Sequence, residues 1–305
     1  MLAREYFANW LSQQRLFLQR STYEALEVYY GKHIIPYFYD KDIEDIKPSD
    51  IQAYVNYKLS PAGRADGGGA LSMVSVRKHL AVLRQSFDYA VIVELVQRNP
   101  CAPIRLPKNK EKTKREVFMT KQEAQKMLDG LKGTYIYPVV AVTLFYGLRR
   151  SEVLGLKWSA VDFKRNLIHI NHTVVKNVTI EAKDSTKTDS SNRTFELVPE
   201  IRQLLSELPH NSEYVFSWPD GTPYRPDSVT KTFQREIARL GFPRMRFHDL
   251  RHSTASILFD MGLSLEEVKD WLGHADIETT SNIYLHYTSE RKRLLANKLK
   301  GTFRL

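Results

Sequence analysis

Residues 99–117, NPCAPIRLPKNKEKTKREV, limit the fold more than any other stretch of this chain. Three prolines interrupt helix and inner strand alike, and the lysine run after them has no apolar period to bury. A segment like this does not cross a core, so it divides the 305 residues into two bodies. The spacing predicts a helical body over residues 1–106, a basic linker over 107–117, a mixed body over 118–289 and a basic tail over 290–305.

Before the linker the apolar spacing is helical. LAREYFANWLSQQ and STYEALEVYYGKHIIPYF each carry apolar residues three and four apart. In MVSVRKHLAVLRQSFDYAVIVELVQ, residues Val76, Leu80, Leu83, Phe87 and Val91 form one stripe, and Arg77, Lys78 and Arg84 lie off it. After the linker, Thr120 and Glu123, and later Ser264 and Glu267, have capping-box spacing ahead of helices. LIHINHTVV, NVTIEA and RTFELVP alternate and are rich in β-formers, which places a small sheet between helices. The expected class is mainly α with a small antiparallel β-sheet.

Net charge is +10 and the pI about 9.4, a balance suited to a polyanionic partner, or simply to a soluble basic protein. No apolar run approaches the length of a bilayer span, and the N-terminus lacks the layout of a signal peptide. Cys101 is the single cysteine, which excludes an internal disulfide and a multi-cysteine zinc site. A soluble, cytoplasmic protein is expected.

Chemistry-bearing residues gather at helix starts. In YGLRRSEVLGLKW, Gly147 ends one helix and Arg149 stands at the threshold of the next. Free N–H groups and an arginine there make an anion site, with Glu152 three residues on able to orient the guanidinium. An ordinary helix junction with an ion pair is the bland alternative. FHDLRHSTASILFDMG sets His248 and Arg251 on one face of a first turn, beside His252. Two arginines at two helix starts suit one phosphate, whose oxygens match planar guanidinium donors. His252 is expected to pack or to support its neighbours. Zinc on His248 and His252 is disfavoured by adjacent Arg251 and by the lack of further ligands. Lys187 sits in the polar stretch STKTDSSNR at a hairpin tip, either solvated or poised as a proton donor. His274 follows a helix stop, and Tyr284 lies ten residues beyond it.

In that order, GLRRSEVLGLKW, KTDSSNR, HDLRH and LGHADIETTSNIY resemble the catalytic set of the tyrosine recombinases, the phage-integrase family. The likeness covers residues 118–289 and extends weakly over 1–106. It looks most like the integrases of Gram-positive temperate phages and conjugative transposons. The resemblance implies a helical core-binding domain followed by a mixed α/β catalytic domain. Many such integrases carry a small arm-binding domain before the core-binding one. This chain begins directly at LAREYFANWL, which leaves arm-site binding open.

The resemblance also implies site-specific strand cleavage by Tyr284, leaving a 3′-phosphotyrosine and a free 5′-hydroxyl. Arg149 and Arg251 would stabilise the phosphate, His248 and His274 would hydrogen-bond it, and Lys187 would protonate the leaving oxygen. No metal and no cofactor are implied. The partner would be double-stranded DNA carrying recombination sites, engaged by a homotetramer that is monomeric when free, with DNA-bending accessory factors. Arg77, Lys78 and Lys231 are expected to touch DNA. Rival readings are an inert DNA-binding regulator, a relaxing enzyme of the topoisomerase IB type, a hairpin-forming resolvase and an RNA-binding protein.

Overall fold

A computed structural model describes residues 1–107, 118–176, 180–183 and 193–273. The linker over 108–117, Lys187, His274, Tyr284 and the tail lie outside the described residues. The chain divides into two compact units, Met1–Thr113 and Lys114–Leu305.

The first unit is helical: α1 (Ala3–Gln14), α2 (Arg20–Tyr29), α3 (Ile35–Tyr37), α4 (Pro48–Leu59) and α5 (Met73–Ile92). Its core is aromatic. Phe7 on α1 lies among the rings of Tyr6, Tyr30, Phe38 and Phe87. The α5 stripe Val76, Leu80, Leu83 and Phe87 is buried against it. Buried hydroxyls need partners, and Tyr6 and Tyr30 donate to the α5 carbonyls of Ser86 and Val82. Arg84, off the stripe, reaches the carbonyls of Cys101 and Ile104 and fastens the segment that follows α5. The stretch STYEALEVYYGKHIIPYF is helical up to Tyr37, as its spacing predicts, but runs from α2 through a wide π turn over Tyr30–Ile34 into α3. Pro36 explains it: proline has no N–H to give and its ring crowds the preceding turn, so the helix widens ahead of it.

The second unit packs α6 (Lys121–Leu131), α7 (Tyr137–Tyr146), α8 (Arg150–Leu154), α9 (Pro199–Ser206), α10 (Pro226–Arg239), α11 (Asp249–Asp260) and α12 (Leu265–Leu272) with short strands. YPVVAVTLFY of α7 is apolar on every side and accordingly central, with Val139, Val140, Val142 and Tyr146 all enclosed. Both capping boxes form: Thr120 Oγ1 accepts from the Glu123 N–H, and Ser264 Oγ from the Glu267 N–H, each at 3.2 Å.

The strands are β1 (Val161–Asp162), β2 (Leu167–Ile170), β3 (Thr173–Lys176), β4 (Ile180–Lys183) and β5 (Arg193–Glu196). They form two antiparallel sheets, β1-β2-β5 and β3-β4. β4 pairs with β3 and β5 with β2, so the strands before and after the Lys187 stretch belong to different sheets, and Lys187 itself lies outside the described residues. In the first sheet Ile168 faces Phe195 and Ile170 faces Arg193 in register. Ile168, Ile170 and Phe195 point inward, and the alternation carries Arg193 in with them.

Candidate active site

The site is built on two helix ends. α7 stops at Gly147, in the left-handed region at φ 63°. A Cβ there would lie 2.3 Å from Cδ2 of Leu272, so only glycine both turns the chain and lets α12 approach. α12 stops in the same way at Gly273, φ 60°. Helix C-termini expose carbonyls with partial negative charge, and these attract cations.

Three arginines take them. Arg251 on α11 is wholly buried. It donates from Nη1 to the Gly147 carbonyl and from Nη2 to the Leu272 carbonyl, both at 2.6 Å. Arg149, the N-cap of α8, donates from Nη2 to the Gly273 carbonyl at 3.2 Å. Arg193 on β5 also donates to the Leu272 carbonyl.

Glu152, only 2% exposed, joins two of the three. Oε1 accepts from Arg149 Nη1 at 2.6 Å, and Oε2 from Arg193 Nη2 and the Arg149 backbone N–H, both at 2.9 Å. Burial acts to raise this carboxyl, but Arg193 and then Arg149 outweigh it and hold it below the ordinary glutamate value. Arg149 and Arg193 thus share one carboxylate, which also acts electrostatically on Arg251. The buried carboxylate of Asp249 is bound to Arg246 at the start of α11. Burial, then Arg149, draws the Arg251 guanidinium down to about 9, still charged at neutral pH. Cations gathered around one buried carboxylate are costly for a fold and are a mark of an anion site.

His248 caps α11 and is exposed. Its inner side is enclosed, and that enclosure, His252 and the cations Arg251, Arg149 and Arg246 push the imidazole down to about 4. It is neutral at pH 7 and able to accept a proton. His252 is buried edge-on to His248, ring centroids 4.9 Å apart, with Phe118 on its other side.

The structure thus brings together Arg149, Glu152, His248, Arg251 and His252. His274 is the next residue in sequence after Gly273, but with Lys187 and Tyr284 it lies outside the described residues. Arg77 and Lys78 are exposed on α5 of the first unit, and Lys231 on α10 of the second. Among the described residues no group of three potential ligands is placed to hold a metal. No helix there is long and apolar enough to cross a membrane. Sequence reasoning missed Arg193. Its signal was present in RTFE, where strand alternation turns an arginine inward beside Phe195.

The Phage integrase family profile matches residues 117–291, and the profile for the phage integrase N-terminal SAM-like domain matches residues 4–59. A tyrosine recombinase XerC-like protein of Caldanaerobacter subterraneus is 27% identical, over 97% of this chain and 82% of that protein. The ICEBs1 integrase of Bacillus subtilis is 28% identical, over 91% of this chain and 77% of its own length. In fold, the chain is similar to the Tn1549 transposon integrase in complex with transposon right end DNA, with TM-score 0.79 and 20% identity over 99% of this chain and 100% of that one. It is also similar to a lambda integrase dimer bound to a core site, with TM-score 0.70 and 17% identity over 93% and 95%. These likenesses do not favour an inert regulator or a relaxing enzyme. The chain belongs to the phage integrase family, as a tyrosine recombinase of the phage and conjugative-transposon type, a DNA strand transferase.

Proposed function

We propose that this recombinase integrates and excises a mobile element by cutting DNA through a 3′-phosphotyrosine on Tyr284. The gathering of Arg149, Arg193 and Arg251 at the ends of α7 and α12 carries the reading, because a phosphodiester gathers negative charge as it is attacked. The Tyr284 hydroxyl oxygen bonds to phosphorus and the bond to the 5′-oxygen breaks. The tyrosine proton passes to neutral His248, and Lys187 gives a proton to the leaving 5′-oxygen. Ligation reverses these steps with the 5′-hydroxyl of another strand, so the bond energy is kept. Arg149, His274 and Arg251 hold the phosphate oxygens.

Residues 1–106 and 118–289 bind duplex DNA as a pair of domains joined by the basic linker, in the cytoplasm. The fold it shares with a lambda integrase tetramer bound to a Holliday junction supports a tetramer as the working unit (TM-score 0.68, 17% identity). The tail over 290–305 packs on a neighbouring subunit, and DNA-bending proteins assist.

Covalent trapping tests the reading. The protein is incubated with a nicked duplex bearing its element's end, and the products are run on a denaturing gel. An adduct that is lost in Tyr284→Phe supports it. Persistence of the adduct in that variant, or no adduct on a duplex that binds, overturns it.

A further inference from the structure

Arg193 is buried to 7% exposure and is not among the site residues expected from the sequence, although it ends the KTDSSNR motif. Its guanidinium is fixed from several sides. It donates to Glu152 Oε2 and to the Leu272 carbonyl, and it lies 5.7 Å over the Phe195 ring. Phe195 in turn packs on Trp271 of α12 and on Tyr146 of α7. One strand residue thereby ties β5 to the carboxylate on α8 and to the end of α12.

Stability alone does not account for it. A buried ion pair is seldom better than well-packed apolar side chains of the same volume. Here the arginine also adds a positive charge to a pocket that Arg149 and Arg251 already make positive. Arg149 lowers its guanidinium further, on top of burial, with Glu152 alone opposing.

We propose that Arg193 is a positioning residue for strand cleavage: bonded at once to Glu152 and Leu272, it sets the carboxylate that aims Arg149 and holds the helix end that leads into His274. The inference rests on the strand-cleavage reading above. The carboxylate of Glu152 must be ionised to accept from Arg149 and Arg193 together. It is faced by Arg149 at the start of α8, Arg193 on β5, Arg251 on α11 and the carbonyl end of α12, with His248 capping α11 nearby. Taking Arg193 away leaves burial less opposed, so Glu152 binds a proton at higher pH and lets go of Arg149 there.

The test is covalent-adduct formation against pH on the nicked duplex, for wild type, Arg193→Gln, Arg193→Lys and Glu152→Gln with and without Arg193→Gln. DNA binding and thermal midpoint are measured alongside. In Arg193→Gln the acid limb of cleavage moves up by about 1 to 3 pH units, while duplex binding persists. The plateau rate falls by up to about 100-fold as Arg149 loses its aim. Arg193→Lys, which keeps the charge without the fork, holds the acid limb near wild type and lowers the plateau. With Glu152→Gln only the acid limb of His248 remains, and adding Arg193→Gln does not move it. An unchanged profile in Arg193→Gln overturns the inference. So does an equal loss at every pH that tracks a fall in thermal midpoint; should Arg193→Gln fail to fold, a wild-type plateau rate in Arg193→Lys overturns it as well. No adduct from the wild type overturns the strand-cleavage reading and takes this inference with it.

Discussion

Arg251 and Leu272 meet through a hydrogen bond of 2.6 Å from a guanidinium to the last carbonyl of α12. The same guanidinium holds the end of α7 through Gly147. The two helix ends and the arginine between them form one unit, which requires both helices to stop short in the left-handed turn that glycine makes easily.

Gly147→Ala should therefore be costly. A left-handed alanine costs about 1–2 kcal/mol by itself, and its methyl group collides with Leu272. A loss above about 2 kcal/mol is expected in urea unfolding. A neutral substitution would show that the α7 and α12 ends do not meet as described.

Glu152→Ala strands two guanidiniums without their shared carboxylate. Breaking a buried pair from one side costs about 3–5 kcal/mol, so the thermal midpoint should fall sharply. Glu152→Gln, which keeps an acceptor oxygen, should cost less.

Much of this site was legible because it is local. Arg149 and Glu152 are three residues apart at a helix start, and their bond follows from spacing alone. The capping boxes at Thr120 and Ser264 follow for the same reason. Arg193 was not legible as a partner, because Glu152 lies 41 residues away and Leu272 lies 79 away, and nothing in a strand's period names them. The division into two sheets was hidden in the same way: which strand pairs with β5 is decided by packing, and the alternation of each strand reads identically in either arrangement. In the first unit the α5 stripe was plain, whereas the polar bond it conceals was not.

That bond joins the Tyr54 hydroxyl to His79 Nδ1 at 2.8 Å in the buried interior. Burial, then His33 and Lys58, lowers His79 from 6.5 to about 4. Above pH 6.5 neither folded nor unfolded chain protonates this group, so it leaves stability unchanged there. As pH falls from 6.5 towards 4 the unfolded chain gains a proton that the fold refuses, and stability drops by up to about 3 kcal/mol. In thermal unfolding followed against pH, His79→Gln should flatten this decline. Equal slopes would contradict it.

Arg77, Lys78 and Lys231 are exposed, as contacts to a DNA backbone must be. If each neutralises one phosphate, replacing any of them by alanine lowers the slope of log affinity against log salt by about 0.9. A filter-binding titration reads this directly, and an unchanged slope removes that residue from the interface.

If the arginine cluster acts on a phosphate during cleavage rather than merely holding DNA, loss of Arg251 separates cleavage from binding. The most direct measurement compares duplex binding and covalent-adduct rate in wild type and Arg251→Ala. Sequence-selective binding close to wild type is expected, with the adduct rate down by at least about 100-fold. Equal loss of binding and cleavage, or cleavage that survives intact, would contradict it.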